Sequence, residues 1–223
     1  MEQSVTAIES LGANHEGPRL ALSGPSLVAS WLVLLFTGIL AGTFISAGRV
    51  PSADSVDVGF ARDMSVHHEQ AVQMASLIYD RTEDEAVRSM AYDILTTQQG
   101  QIGIMSGWLD AWGLPWTSSG PQMAWMGTPL TGLMPGMATA EQLNQLRAAT
   151  GPEADILFLE MMIPHHVAGV EMAEQAEAAA GEQPVKVLAH GIVEAQQAEI
   201  AYMQELLVAK GRDPFPIETG HDH

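Results

Sequence analysis

The sequence contains no cysteine, and this absence removes several kinds of site. Disulfide bonds, thiolate metal centres, cysteine nucleophiles and lipidation of a cysteine are all excluded. Basic residues are also scarce, because nine Lys and Arg stand against 27 Asp and Glu, for a formal net charge of −18. Since phosphate binding requires clustered Lys and Arg, no nucleic-acid partner is expected. An acidic surface of this kind favours cations.

One long apolar run lies in the first part of the chain. Residues 1–26 are polar and without periodicity, which predicts a disordered N-terminal tail. Residues 27–48 carry no charge, and residues 27–47 are long enough to span a bilayer as a helix. A signal sequence is the alternative, although its apolar core is usually ~7–15 residues long and follows a basic segment. The run therefore predicts an N-terminal transmembrane anchor, or otherwise a signal helix.

Two stretches of the chain, residues 60–75 and 158–173, repeat each other at a constant shift of 98 residues. The matching pairs are Phe60/Phe158, Met64/Met162, His67/His165, His68/His166, Val72/Val170, Met74/Met172 and Ala75/Ala173. The same shift aligns Gln98, Ile102 and Met105 with Gln196, Ile200 and Met203. Self-similarity over this length indicates an internal repeat of one structural unit.

Helix signals divide the rest of the chain into two hairpins, and no strand pattern is found. A first helix is expected from Asp54 or Ser55 to about residue 79, and a second from a capping box of Thr82 and Glu85 to about residue 112. Thr139 and Gln142 predict a short helix to about residue 149. The third and fourth long helices are expected over residues 150–181 and 184–211. The prediction is an all-α, ferritin-like four-helix bundle over residues 55–211, with halves 55–112 and 151–211, a Met/Gly/Pro-rich connection 113–150 and a flexible tail 212–223.

Helical phasing at 100° per residue places the repeated Met and His residues on one inward stripe of each hairpin. Glu199 is the only acid expected on this stripe. Thioether and imidazole donors suit Cu(I), and imidazole also accepts Cu(II), whereas Fe, Mn, Mg and Ca prefer carboxylates. A di-iron site of the ferritin type, which needs inward glutamates on all four helices, is therefore not expected.

The predicted site contains ten candidate metal ligands and no catalytic residue. The candidate ligands are His67, His68, His165, His166, Met64, Met74, Met162, Met172, Met105 and Met203. Their expected hydrogen-bond partners are Gln98, Gln101, Gln196 and Glu199. The alternative interpretation is an ordinary core, because methionine fills irregular gaps and a buried histidine pair can be satisfied by Gln98 or Gln196. Met123, Met126, Met134 and Met137 in the connection could form a second soft site or close the end of the bundle.

Several motifs also resemble the "domain of unknown function 305" (DUF305) family. They are MSVHHEQAVQMA at 64–75, MGTPLTGLMPGM at 126–137, LFLEMM at 157–162 and MIPHH with AGVEMA within 162–173. The resemblance implies a ferritin-like four-helix fold outside the cytoplasm, behind an N-terminal signal or anchor. Some members are periplasmic copper-binding proteins implicated in copper resistance, and no catalytic activity is established for the family. Position by position it implicates the four histidines, with Met64, Met74, Met162 and Met172 beside them. The first copy departs from the pattern, with Ser65-Val66 in place of Ile163-Pro164.

These observations predict a membrane-anchored, extracytoplasmic protein that buffers, stores or transfers copper, with a copper-trafficking protein as a possible partner. Two alternatives stay open at this point. One is a ferritin-like redox enzyme with a histidine-rich metal centre. The other is a membrane-anchored interaction module that binds no metal and whose histidines form a pH-sensitive core.

Overall fold

The structure is a computed structural model, and it describes residues 50–217. The predicted N-terminal tail and the predicted anchor at 27–48 lie outside these residues, as does the end of the C-terminal tail from residue 218 onward. The described residues form five α-helices and no strand: α1 (Val56–Tyr79), α2 (Glu85–Ala111), α3 (Ala140–Ala148), α4 (Gly151–Ala179) and α5 (Gln183–Ala209). The all-helical prediction is confirmed for this part of the chain.

Short polar residues begin three of these helices by binding backbone N–H groups that have no partner within the helix. Ser55 accepts a hydrogen bond from the N–H of Val58, and Thr139 forms a capping box with Gln142. The predicted capping box at Thr82 is wrong. Asp84 begins α2 instead, because its carboxylate accepts from two N–H groups of the first turn.

The four long helices pack as two hairpins, α1 with α2 and α4 with α5. The hairpins meet mainly through α1 and α4, whereas α2 and α5 have few contacts with each other. Asp57 links the two hairpins, since its carboxylate accepts hydrogen bonds from the N–H groups of Gly181 (3.1 Å) and Glu182 (2.8 Å) at the start of α5. Lys210 links them again through its ammonium, which lies 2.6 Å from Asp84 and 2.9 Å from Asp155.

Helix α4 is the most apolar element among residues 50–217. It is the one helix in this range long and apolar enough to cross a membrane, yet 72% of its most apolar window is buried inside the protein. A long apolar helix that is mostly covered by its neighbours is typical of the core of a globular domain. Its role is therefore to carry the second histidine pair into the centre of the domain.

Candidate metal centre

The four histidines of the repeat meet where α1 and α4 pack together, and we call them the histidine layer. His67 and His68 lie on α1, His165 and His166 lie on α4, and all four are 0% exposed. The rings of His67 and His165 face each other, with centroids 3.8 Å apart and planes inclined by 31°. The two pairs, nearly 100 residues apart along the chain, therefore form one buried group.

Three of the four imidazoles are oriented by an oxygen acceptor. The Nε2 atom of His67 lies 3.2 Å from the carbonyl of Pro135, that of His68 lies 2.7 Å from Oε1 of Gln101, and that of His166 lies 2.9 Å from a carboxylate oxygen of Glu199. An oxygen of this kind accepts, so Nε2 carries the proton and donates in each case. The Nδ1 atom of each of these rings is therefore unprotonated and has a free lone pair.

These lone pairs have nothing to bind within the described structure. The Nδ1 atoms of His67, His68 and His166 lack a hydrogen-bond partner among residues 50–217, and neither nitrogen of His165 has one in this range. A buried polar atom without a partner is costly, and few occur in native structures. Neutral imidazole nitrogens with a free lone pair are ligands for copper and zinc, so the chemistry of the histidine layer fits a metal ion.

Burial also keeps the rings of His67, His68 and His165 neutral at pH 7. Desolvation lowers the pKa of His67 to about 4, although the Pro135 carbonyl partly opposes this effect. Desolvation, together with the neighbouring His67, lowers the pKa of His68 to about 3, and desolvation holds the pKa of His165 well below its usual range. Because a metal competes with protons for imidazole nitrogen, rings that are already neutral at pH 7 bind without releasing a proton.

The six candidate methionine ligands are buried on two sides of the histidine layer. All are at most 1% exposed. One apolar cluster contains Met64, Met105 and Met172, and the other contains Met74, Met162 and Met203. Each cluster thus holds one member of every pair related by the 98-residue shift. Each hairpin therefore contributes methionines to both clusters.

The connection between the hairpins closes one face of the histidine layer through residues 134–138, which we call the strap. The carbonyl of Pro135 binds His67, and the side-chain amide of Gln70 binds both the N–H and the carbonyl of Ala138 (2.6 and 2.9 Å). Gly136 has φ 71° and lies so close to α4 that a Cβ there would be 2.4 Å from the carbonyl oxygen of Pro164. Sequence reasoning missed Pro135, Gly136 and Gln70 as part of the site.

The methionines of the connection pack against the domain instead of forming a separate exposed group. Met123 and Met134 are 3% and 2% exposed and belong to the cluster of Met64, while Met126 and Met137 are partly buried against it. Both expectations for these methionines, a second soft site and closure of the bundle end, stay predictions. Asp63 holds part of the connection in place, since its carboxylate accepts from the backbone N–H of Met123.

Gln98 and Gln196 do not orient the histidines as expected. Gln98 is 2% exposed, and neither atom of its amide has a hydrogen-bond partner among the described residues. The Oε1 atom of Gln196 is likewise without one in this part of the chain. Of the four expected side-chain partners, Gln101 and Glu199 make these hydrogen bonds, and they lie three residues further along the second helix of each hairpin.

An apolar groove lies between α2 and α5. Its volume is about 650 Å³, and its lining includes Gln101, Ile104, Trp108 and Val187. Gln101 therefore lies between this groove and His68. Within residues 50–217, no three side chains of His, Asp or Glu converge on one point. A coordination sphere assembled here would therefore combine imidazole with another kind of donor.

The profile of the DUF305 family, a domain of unknown function, matches residues 57–207. The chain belongs to the DUF305 family. Among solved structures, a DUF305 protein of Streptomyces coelicolor that is thought to be secreted is 47% identical, with a TM-score of 0.71, and the match covers 74% of this chain and 100% of the other. A DUF305 fragment from Deinococcus radiodurans is 32% identical, with a TM-score of 0.59 and coverage of 69% and 96%.

A more distant member of the same fold is a copper-bound protein. CopM in its Cu(I)-bound form is 25% identical to this chain, with a TM-score of 0.52 and coverage of 69% of this chain and 96% of CopM. None of the curated proteins matches the chain. The predicted family is thus confirmed.

Proposed function

We propose that this DUF305 protein binds copper at the histidine layer and buffers or passes on the ion. One observation carries the proposal. Three buried imidazoles are each fixed by a hydrogen bond at Nε2 and keep Nδ1 free, with no partner among the described residues. Hydrogen bonding at one nitrogen fixes the tautomer and orients the other nitrogen toward a metal.

The donor set selects copper over other abundant ions. Thioether and imidazole are soft to borderline ligands; the methionine clusters supply the thioethers and the histidine layer supplies the imidazoles. Ions that prefer oxygen would find Glu199 as the one carboxylate hydrogen-bonded to the layer within residues 50–217. The likeness to CopM in its Cu(I)-bound form supports the same choice.

Full burial of the ligands favours holding an ion over catalysis. All four histidine rings are 0% exposed, and the strap covers one face of the layer. A catalytic metal keeps one coordination position open to a substrate, whereas a storage or transfer site does not need one. Buffering or transfer is therefore the function that this geometry supports best.

The location of the protein and its wider fold complete the proposal. We place the domain outside the cytoplasm, as a ferritin-like bundle held by residues 27–47, and we expect a copper-trafficking protein as its donor or acceptor. Support comes from the apolar run in the sequence and from the secreted character ascribed to the Streptomyces relative. Fractionation of cells into membrane, periplasmic and cytoplasmic pools tests this part, and recovery in the cytoplasmic pool would contradict it.

The metal itself is tested by competition titration of the purified full-length chain with Cu(I) and Ag(I) against a chromophoric chelator. The His67→Ala/His68→Ala and His165→Ala/His166→Ala variants should both lose more than the ~10–100-fold in affinity that removal of an outer hydrogen-bond partner causes. His190→Ala is the matched control, because its side chain is 61% exposed and bonded only to Glu177. This control should retain wild-type affinity.

Three other outcomes are informative in the same experiment. No uptake by a wild-type protein with full helical circular dichroism would overturn the copper proposal. Uptake of Fe(II) followed by oxygen consumption would instead support the redox enzyme. A melting temperature that changes with pH but not with Cu(I) or chelator would identify the histidine layer as the core of an interaction module.

A further inference from the structure

Two of the imidazoles are held by corresponding side chains of different chemistry. His68 bonds to Gln101 and His166 bonds to Glu199, and both pairs are separated by 33 residues along the chain. Gln101 and Glu199 are themselves related by the 98-residue shift. The same position in the two hairpins is thus an amide in one and a carboxylate in the other.

Both groups fix the same tautomer, but only one adds charge. An amide oxygen and a carboxylate oxygen each accept the Nε2 proton, so that Nδ1 is the free nitrogen in both rings. The carboxylate of Glu199 also places a negative charge 2.9 Å from His166, a ring that is fully buried, while the glutamate side chain is 20% exposed. Partial burial weakens screening by solvent, so the charge acts on the ring and on whatever the ring binds.

The charge acts differently on the two oxidation states of copper. A carboxylate that accepts from a metal-bound imidazole makes the imidazole a stronger donor, and the added negative charge stabilises a dication more than a monocation. Cu(I) prefers thioether sulfur, the donor that the buried methionine clusters offer, and the softness of that sulfur does not depend on this charge. The carboxylate therefore stabilises bound Cu(II) more than bound Cu(I).

We propose that Glu199 is a positioning residue that sets the balance between Cu(II) and Cu(I) at this centre, and that the half of the site built on His166 is the one that retains Cu(II). The half built on His68 and Gln101 favours Cu(I). This inference rests on the proposed copper function and adds that the two halves of the site prefer different oxidation states of the ion.

The replacement Glu199→Gln makes the two halves alike while keeping an oxygen acceptor of the same shape. We expect the Cu(II) affinity to fall by ~10-fold or more, in the range found for outer partners of ligating histidines. Cu(I) and Ag(I) affinities should change by less than ~3-fold, since those ions rely on thioether sulfur. A selective tenfold loss of Cu(II) binding corresponds to a rise of ~59 mV in the reduction potential of the bound copper.

The reciprocal variants make the test internally controlled. Gln101→Glu should lower the reduction potential, and the double exchange Gln101→Glu/Glu199→Gln should return it toward the wild-type value. Glu194→Gln removes the same charge from an exposed position of the same helix, and it should leave the potential unchanged. All variants are measured as the full-length chain by competition titration with Cu(I) and Cu(II), by potentiometric titration and by electron paramagnetic resonance of the Cu(II) form.

Each result decides between the possibilities. A rise in potential for Glu199→Gln, with no change for Glu194→Gln, supports the inference. Equal loss of Cu(I) and Cu(II) affinity, or an equal effect of both glutamate variants, overturns it while leaving copper binding intact. If Glu199→Gln does not fold, the sign of the shift in Gln101→Glu decides alone, and a potential that does not fall overturns the inference. Failure of the wild-type chain to take up any copper overturns both the inference and the proposed function.

Discussion

Replacing Gly136 by Ala should displace the strap from the histidine layer. Gly136 has φ 71°, and a Cβ at this position would lie 2.4 Å from the carbonyl oxygen of Pro164 and 2.9 Å from Cα of His165. Both are backbone atoms of α4, which cannot rotate aside as a side chain can. The strap must therefore move outward, and the Pro135 carbonyl must move with it.

Two terms set the size of the effect. A left-handed conformation costs an L-residue about 1–2 kcal/mol relative to glycine. Moving the strap also weakens the hydrogen bond between Pro135 and His67 and leaves a buried N–H unsatisfied, at about 1–3 kcal/mol. The free energy of unfolding should thus fall by about 2–5 kcal/mol. For a domain of this size, 1 kcal/mol shifts Tm by about 2–4 °C, so Tm should fall by about 10 °C.

Gly127→Ala separates the two terms. Gly127 also has a left-handed backbone (φ 77°), but a Cβ there would meet no described atom within 4 Å. It should therefore show the conformational cost alone, near 1–2 kcal/mol. The assay is thermal unfolding of the metal-free protein followed by circular dichroism, with Ag(I) titration of each variant. Equal loss of Tm in the two variants would refute the reasoning, because the contact of the strap with α4 would then contribute no stability.

Three further predictions concern stability and ligands. Asp57→Ala should lower the free energy of unfolding by about 1–3 kcal/mol in denaturant titrations, because the N–H groups of Gly181 and Glu182 in the turn before α5 lose their acceptor; Asp54→Ala should not. Acidification below pH 6.5 should destabilise the metal-free protein, because the pKa of His67 falls from 6.5 in the unfolded chain to about 4 in the fold. The contribution of this ring to the free energy of unfolding is fully present above pH 6.5 and is lost as the pH falls toward 4, for a total of about 3 kcal/mol. Equal urea midpoints at pH 7 and pH 4.5 would contradict this prediction. Met162→Leu should change stability by less than about 1.5 kcal/mol but weaken Ag(I) binding at least ~10-fold if its sulfur is a ligand; Met90→Leu is the control.

Local signals predicted the helices well because they act over a few residues. Apolar periodicity and the caps at Ser55 and Thr139 placed the helix starts, and these interactions lie within one turn of the chain. The start of α2 was wrong because Thr82 and Asp84 are both good capping residues. Asp84 also binds Lys210, which comes from the far end of the chain, and no local pattern contains this contact.

The candidate site could be predicted only in part, since helical phasing gives faces and not neighbours. Phasing placed the histidines and methionines inward, but it could not assign the methionines to two clusters, which depends on how α1 crosses α4. It also could not distinguish Gln98 from Gln101 as the partner of His68, because both lie on one face of α2. The contribution of Pro135 is a backbone carbonyl, which leaves no signature in the sequence.

The two hairpins explain why the centre has two unlike halves. Residues 98 positions apart occupy corresponding places in them, so the helices alone would build a symmetric site. One connection joins two hairpins, however, and it can cross the histidine layer only on one side, where Pro135 binds His67 and Gly136 packs on α4. The corresponding nitrogen of His165 has no partner among the described residues. The strap and the exchange of Gln101 for Glu199 therefore act on different histidines, and each removes the equivalence of the halves by itself. Variants at Gly136 and at Glu199 should consequently have additive effects on copper affinity if the two features are independent.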